Sequence, residues 1–188
     1  MRIGSIDIGI KNIGFCVYDT CTKGIVCLEI IDLCENPADP KKRLQFGDHS
    51  VVPLASALVK QRRDLFASCD IVAVEKQMTR RMILIQIALE ALLDEMTTVL
   101  QVHARSVKVM FNTGTGKHKD NKKAAIAKTK SILGPVAWGK IERGFKKKDD
   151  VCDAILQAMY VGANARALVN KKVAACGPKE RKKRKRKN

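Results

Sequence analysis

The first 33 residues limit the fold more than any other part of the chain. They hold three strand-like segments separated by turns too short to contain a helix. Ile3 to Ile8 alternates and stops at Gly9. Ile13 to Tyr18 follows at once. After the turn Thr20-Cys-Thr-Lys-Gly24 comes Ile25 to Leu33, rich in β-branched and apolar residues. Strands joined by tight turns pair antiparallel, so this end predicts a three-stranded meander. The pattern then changes. Glu35 to Ser50 carries Asn-Pro, Asp-Pro and Gly-Asp and reads as a loop. Val51 to Cys69 has apolar residues at 54, 58, 65 and 66 with charges between them, an amphipathic helix. Ile71 to Val74 is a short, wholly apolar strand ending at Glu75. Met82 to Leu100 has helical period and is apolar on nearly every face up to Leu93, as suits a helix buried in a core or a subunit interface. Val107 to Phe111 reads as a further strand and Asn112 to Asn121 as a polar loop. Lys122 to Leu133 is a basic helix ended by Gly134-Pro135, and the last helix runs from Asp149 to about Leu168. Strands reached through helical crossovers lie parallel to their neighbours. The prediction is an α/β fold: a mixed sheet, meander plus parallel strands, with helices on both faces.

Its 188 residues suffice for one such core, placed over residues 1–170. Residues 171–188 form a charge run that cannot bury surface and reads as a disordered tail. Charge is unevenly spread. Residues 1–100 hold 12 basic and 13 acidic side chains, whereas residues 101–170 carry a net +9 and the tail another +9, giving +17 in all. Such segregation is the footprint of a protein that meets a polyanion. Aromatics are only 4%, too few for extensive base stacking. No apolar run reaches 18 residues, which argues against a membrane span. Asp7 stands where a secretion signal would need apolar residues. Seven cysteines without a CxxC pair point to reduced thiols in an intracellular compartment. Gly114-Thr-Gly-Lys117 lacks the spacing of a phosphate-binding P-loop, with Phe at 111 and His at 118.

Four acids occupy expensive places. Asp7 lies inside the first apolar strand, between Ile6 and Ile8. Glu75 ends the strand Ile71-Val-Ala-Val. Asp150 and Asp153 stand three apart at the start of the last helix and share a face. Carboxylates drawn together from two strands and a helix repel each other unless cations neutralise them. Mg²⁺, a hard ion that prefers oxygen ligands, is the natural solution, with Mn²⁺ as a substitute. Two such ions about 3.5–4 Å apart activate water and stabilise a leaving oxygen at a phosphodiester. Taken singly, Asp153 reads equally as a solvated helix residue, and Asp149 and Asp150 as acids complementing a helix dipole. Joint placement on adjacent elements favours the site.

These residues carry a resemblance. Ser5-Ile-Asp7-Ile-Gly9-Ile-Lys-Asn12-Ile-Gly14 resembles the first motif of the RuvC-like Holliday junction resolvases, in particular their poxviral and fungal mitochondrial branch. Val72-Ala-Val-Glu75-Lys-Gln77 resembles the second. Lys146-Lys-Lys-Asp-Asp150-Val-Cys-Asp153-Ala-Ile-Leu resembles the last, with its D-x-x-D-A-apolar core. Order and separation also match, over about residues 3–165. The resemblance implies an RNase H-like fold, a homodimer, and Mg²⁺-dependent symmetric cleavage of four-way DNA junctions. Asp7, Glu75, Asp150 and Asp153 would then be metal ligands, for two ions per site. Asp149 falls outside the matching pair and reads as a helix N-cap. The family places a catalytic lysine between the second and last motifs. Gly114-Thr-Gly116 followed by Lys123-Ala-Ala-Ile resembles that segment, making Lys123 the first choice and Lys122 the competitor.

A two-fold dimer would present two identical sites to a junction, and the apolar helix Met82–Leu93 offers an interface or, equally, burial against its own sheet. Lys117, Lys119, Lys122, Lys146, Lys147, Lys148, Arg80 and Arg81 are candidate phosphate contacts. The run Lys146-Lys-Lys148 opposes the dipole of the helix it precedes, so an approaching phosphate, not the helix, gains from it. Tail residues Arg181 to Lys187 read as a nuclear localisation signal, a DNA anchor or a solubilising end. The resemblance suggests a viral or mitochondrial protein and leaves nucleus, mitochondrion and viral replication site open. The alternatives are an RNase H-like nuclease for hybrids or flaps and a non-catalytic nucleic-acid-binding protein. The second is disfavoured because a binder gains nothing from anions facing phosphates.

Overall fold

A computed structural model of the chain describes residues 1–9, 12–33 and 50–176. The meander is present as β1 (Arg2–Ile8), β2 (Asn12–Asp19) and β3 (Gly24–Asp32). β1 and β2 pair antiparallel with Asp7 opposite Gly14, and β3 continues on the far side of β2 with a bulge at Val17/Tyr18. β4 (Ile71–Glu75) joins the other edge of β1 in parallel, and β5 (Thr98–Val102) joins β4 in parallel. The order across the sheet is β3-β2-β1-β4-β5. This is the mixed sheet expected, reached by the expected crossovers.

Helices cover both faces. On one, α1 (Val51–Gln61), α2 (Arg63–Ala67) and α3 (Arg80–Leu93) close a core around Ile6, Ile8, Phe15, Phe66 and Leu89. Phe15 and Phe66 meet edge to face with ring centres 5.2 Å apart. On the other, α4 (Ala104–Phe111), α5 (His118–Gly144) and α6 (Lys148–Cys176) close a second core around Ile3, Cys16, Ala73, Trp138 and Ile155. The sheet therefore separates two cores, and the parity of each strand residue decides which one it enters.

Several boundaries differ from expectation. The helix predicted over Val51–Cys69 breaks at Arg62 into α1 and α2. The helix predicted to reach Leu100 stops at Leu93, and the strand predicted at Val107–Phe111 lies instead at Thr98–Val102, with Val107–Phe111 inside α4. Short apolar runs fit either period, and here tertiary pairing decides. Val99, Leu100 and Val102 are buried beside β4, whereas Val109 and Met110 are exposed. The loop predicted to reach Asn121 ends at Lys117, and α5 starts four residues earlier than expected. Gly134-Pro135 ends the basic helix as expected: Gly134 takes the non-helical angles φ +72° and ψ 176°, and a second helical run follows it to Gly144, so α5 is two helices meeting at a kink. The last helix runs on to Cys176, past the domain limit placed at 170. Asp149 lies inside its first turn rather than capping it. The loop expected over Glu35–Ser50, apart from Ser50, and the tail beyond Cys176 fall outside the described residues. Among the described residues no helix is long and apolar enough to cross a membrane.

Candidate active site

Strand parity and register bring the first two acids together. In β1, Ile6 and Ile8 enter the α1–α3 core while Ile3 enters the α4–α6 core, so Asp7 shares the α6 side with Ile3 and Ser5. In β4, Val72 and Val74 face α1 and α3, and Ile71, Ala73 and Glu75 face α6. The parallel register sets Ile6 opposite Val74. The next residue of each strand is Asp7 and Glu75, which therefore emerge side by side.

α6 supplies the third acid. Asp153, one turn into the helix, lines with Asp7 and Glu75 a cavity of about 40 Å³ whose walls also include Lys108, Thr113 and Gln157. That is room for two or three water-sized oxygens. The helix reaches this position because β2 has no side chain in its way. A Cβ on Gly14 would stand 2.4 Å from the Asp150 carbonyl oxygen.

The charges behave as a crowded acid cluster. Burial pushes the Asp7 carboxyl well above its ordinary range, and the charge of Glu75, a hydrogen bond with it, and then Asp153 and Asp150 push it further. Burial and the Glu75 charge raise Asp153 to about 6, against the opposing pull of Lys108 and Lys122. Asp150 does not line the cavity. It is raised by burial and by Asp149, with Lys147 opposing, and its Oδ2 stands 3.9 Å from the Lys147 ammonium. Glu75 is held by its neighbour: Gln77 Nε2 donates to Glu75 Oε2 at 2.9 Å, and the Gln77 backbone N–H donates to buried Gln86 Oε1 at 2.7 Å. This leaves Glu75 Oε1 free of that contact.

Lys122 and Lys123 separate clearly. Successive helix residues point about 100° apart, so only one of them faces the acids. Lys122 Nζ donates to Asp149 Oδ2. That hydrogen bond raises the Lys122 pKa, and the charges of Asp149, Asp150 and Asp153 add to it. For Asp149 burial pushes the carboxyl up, but the Lys122 ammonium, its own backbone N–H and the Lys147 charge together bring it below its ordinary range. Lys123 is exposed one position away. Lys122, the competitor in the sequence reading, is thus the one whose ammonium meets an acid at the start of α6. Lys108 was missed altogether. A strand over Val107–Phe111 would set it opposite Val107 and Val109, the solvent side of a half-buried strand, whereas in α4 it lines the cavity. Its only sequence signal was a cation beside a glycine-containing loop.

The candidate phosphate contacts gather where helices begin. Arg80 and Arg81 open α3 directly after β4, Lys117 stands at the N-cap of α5 with Lys119 in its first turn, and Lys146 and Lys147 precede α6, whose first residue is Lys148. All are exposed except Lys148, which is half-buried. Cations at helix N-termini work against the helix dipole and favour an incoming anion.

Among the described residues no three His, Cys, Asp or Glu side chains stand close enough to form a ready chelate. Yet the donor set suits a divalent cation. It consists of carboxylates only, two of them raised by burial and mutual repulsion and lining one small cavity, which is the hard-oxygen environment Mg²⁺ and Mn²⁺ prefer.

A mixed five-stranded sheet with acids near the ends of the adjacent parallel strands β1 and β4, and a further acid from a helix crossing the same face, defines a RuvC/RNase H-like fold. Residues 1–164 match the family described as Poxvirus A22 protein, and the chain belongs to that family. Solved structures agree on the fold. The fowlpox virus resolvase, solved with Holliday junction DNA, is 17% identical at a TM-score of 0.62 over 88% of this chain and 99% of its own. The yeast mitochondrial Holliday junction resolvase Ydc2 is 20% identical at 0.62, over 93% of this chain and 84% of its own. RuvC of Thermus thermophilus is 18% identical at 0.59, over 89% and 96%. No curated protein matches the sequence.

Proposed function

We propose that the chain is a structure-selective endonuclease that resolves four-way DNA junctions by paired, symmetric phosphodiester cleavage, using divalent metal and water. The observation that carries this reading is the cavity shared by Asp7, Glu75 and Asp153, set among cations on a fold whose solved relatives include resolvases. Asp7, Glu75, Asp153 and, from outside the cavity, Asp150 would hold Mg²⁺, with Mn²⁺ as a substitute and two ions per site. Bound ions supply charge neutralisation and Lewis-acid activation of water. The protein's own groups do the rest. Gln77 orients Glu75. Lys122, steered by Asp149, and Lys108 place positive charge where a phosphate gains negative charge during cleavage. The exposed Arg80, Arg81, Lys117, Lys119, Lys123, Lys146 and Lys147, with half-buried Lys148, position the sugar–phosphate backbone without reading bases.

A junction has two strands to cut, so the active form is a homodimer. On α3, Ile87 is 56% exposed and is the apolar side chain that helix offers to such an interface. The test is a substrate panel with wild type and Asp7→Asn: mobile junction, linear duplex, flap and RNA–DNA hybrid, with and without Mg²⁺. The expected result is paired nicks on the junction alone, metal-dependent, and binding without cutting by the variant. Equal cutting of linear duplex overturns junction selectivity. Cutting without metal overturns the mechanism.

A further inference from the structure

We propose that Gln157 is a positioning residue: its amide locks α6 onto the main chain of β1 and β4, setting the height and rotation at which Asp153 faces Asp7 and Glu75. The proposal rests on the metal-dependent reading above and adds a residue to it.

Gln157 is 4% exposed and lies on a stretch of α6 that otherwise buries Val151, Cys152, Ala154, Ile155, Leu156 and Ala158. A leucine would satisfy packing there at no cost in desolvated polar atoms. Instead its Nε2 donates to the Ile6 carbonyl at 3.1 Å and to the Ala73 carbonyl at 3.3 Å. Those two carbonyls belong to adjacent parallel strands, one residue before Asp7 and two before Glu75. A carbonyl has two lone pairs, so each accepts the amide beside its ladder bond. Asp153 is four residues earlier on the same helix face. One side chain thus ties the helix that carries the third acid to both strands that carry the first two, directly behind all three. Gln157 also lines the same cavity.

The apolar contacts of α6 cannot do this alone. Hydrophobic burial is non-directional, and a one-residue slip of a helix turns every side chain by about 100°. Two hydrogen bonds to fixed acceptors do not survive such a slip. Gly14 sets the remaining coordinate, how closely the helix approaches β2. Second-layer groups that orient metal ligands typically change metal affinity or activity by about 10–100-fold when removed.

The test compares wild type with Gln157→Met, which keeps length and loses both donors. Mn²⁺ affinity is measured by calorimetry on DNA-free protein, alongside junction affinity in Ca²⁺ and the Mg²⁺ concentration giving half-maximal cutting. The expected result is a cooperative melt, unchanged junction affinity, and Mn²⁺ affinity and Mg²⁺ requirement both shifted by about tenfold or more. Wild-type metal affinity in the variant overturns the proposal, as does loss of cutting with the Mg²⁺ requirement unmoved. Should Gln157→Met fail to melt cooperatively, Gln157→Asn carries the same readouts, because it keeps the amide but is one methylene too short to reach both carbonyls. Wild type that neither binds Mn²⁺ nor cuts the junction overturns the functional reading itself. Active wild type with an unshifted variant overturns only the role of Gln157.

Discussion

The two faces of the sheet are built from different materials. Toward α1 and α3 the three central strands present Ile6, Ile8, Ile13, Phe15, Val17, Val72 and Val74, large side chains that fill a conventional core. Toward α6, apart from Ile3, Ile71 and, at the far end of β2, Tyr18, the same strands present Ser5, Asp7, Gly14, Cys16, Ala73 and Glu75. The first face holds its helices at side-chain distance. The second lets a helix backbone approach strand backbone, and the closeness is what makes a three-element acid cluster possible. One face supplies stability, and the other gives up packing volume and gathers like charges.

Breaking the functional face should abolish chemistry before it costs stability. Asp7→Asn should lower single-turnover junction cutting by about three orders of magnitude or more, several kcal/mol of transition-state stabilisation, with binding retained in a gel-shift assay. Activity within tenfold of wild type would erase the distinction between the faces. The packing face should respond the opposite way. Phe15 is fully buried against Phe66, so Phe15→Ala should cost about 3–5 kcal/mol in urea unfolding. Metal affinity of whatever remains folded should be unchanged.

The lysine pair sharpens the comparison within one helix turn. Lys122→Ala should slow cutting by about 10²-fold, as loss of a charge-stabilising donor does. Lys123→Ala should keep the cutting rate on saturating junction and show only weaker binding. Equal rate losses would return the two to the undecided state of the sequence.

A smaller effect tests the cost of gathering acids. Asp153 titrates at about 6 in the folded protein against 3.8 as its ordinary value. A carboxyl raised on folding binds its proton more tightly in the native state. Its ionisation therefore destabilises, and stability declines as pH rises from about 4 through 6. In metal-free protein the difference in unfolding free energy between wild type and Asp153→Asn should grow by about 1–3 kcal/mol over that range, the variant gaining. Mg²⁺ should reverse the difference at pH 7, because only wild type has the full ligand set. Smallest of all, Lys147→Ala should reduce the slope of log affinity against log salt by about 0.9, the share of one phosphate contact.

Much of this was legible without coordinates, and the reasons differ by element. The meander was readable because turns of a few residues allow no other pairing for three consecutive strands. Asp7 stood out because a charge inside an apolar strand needs a partner, whereas Asp150 and Asp153 stood out only beside it. The position of β5 was not, since Val99-Leu-Gln-Val and Val107-Lys-Val-Met are equally strand-like, and only pairing with β4 chooses between them. Lys108 was hidden by that error. Gln157 was invisible for another reason: a glutamine on a long helix reads as solvated until the helix is known to lie on a sheet.

The sequence by itself determined the elements of the meander, the costly places of Asp7 and Glu75, and a basic back half that points to a polyanion. Those are consequences of local periodicity and of the cost of burying charge, both properties of short stretches of chain. Only the tertiary structure decided which lysine faces the acids, that α4 contributes Lys108, and that Gln157 and Gly14 bring α6 to its place. Rotation of a helix about its axis and its distance from a sheet are set by contacts between residues as far apart as Ile6 and Gln157, and no spacing along the chain encodes them.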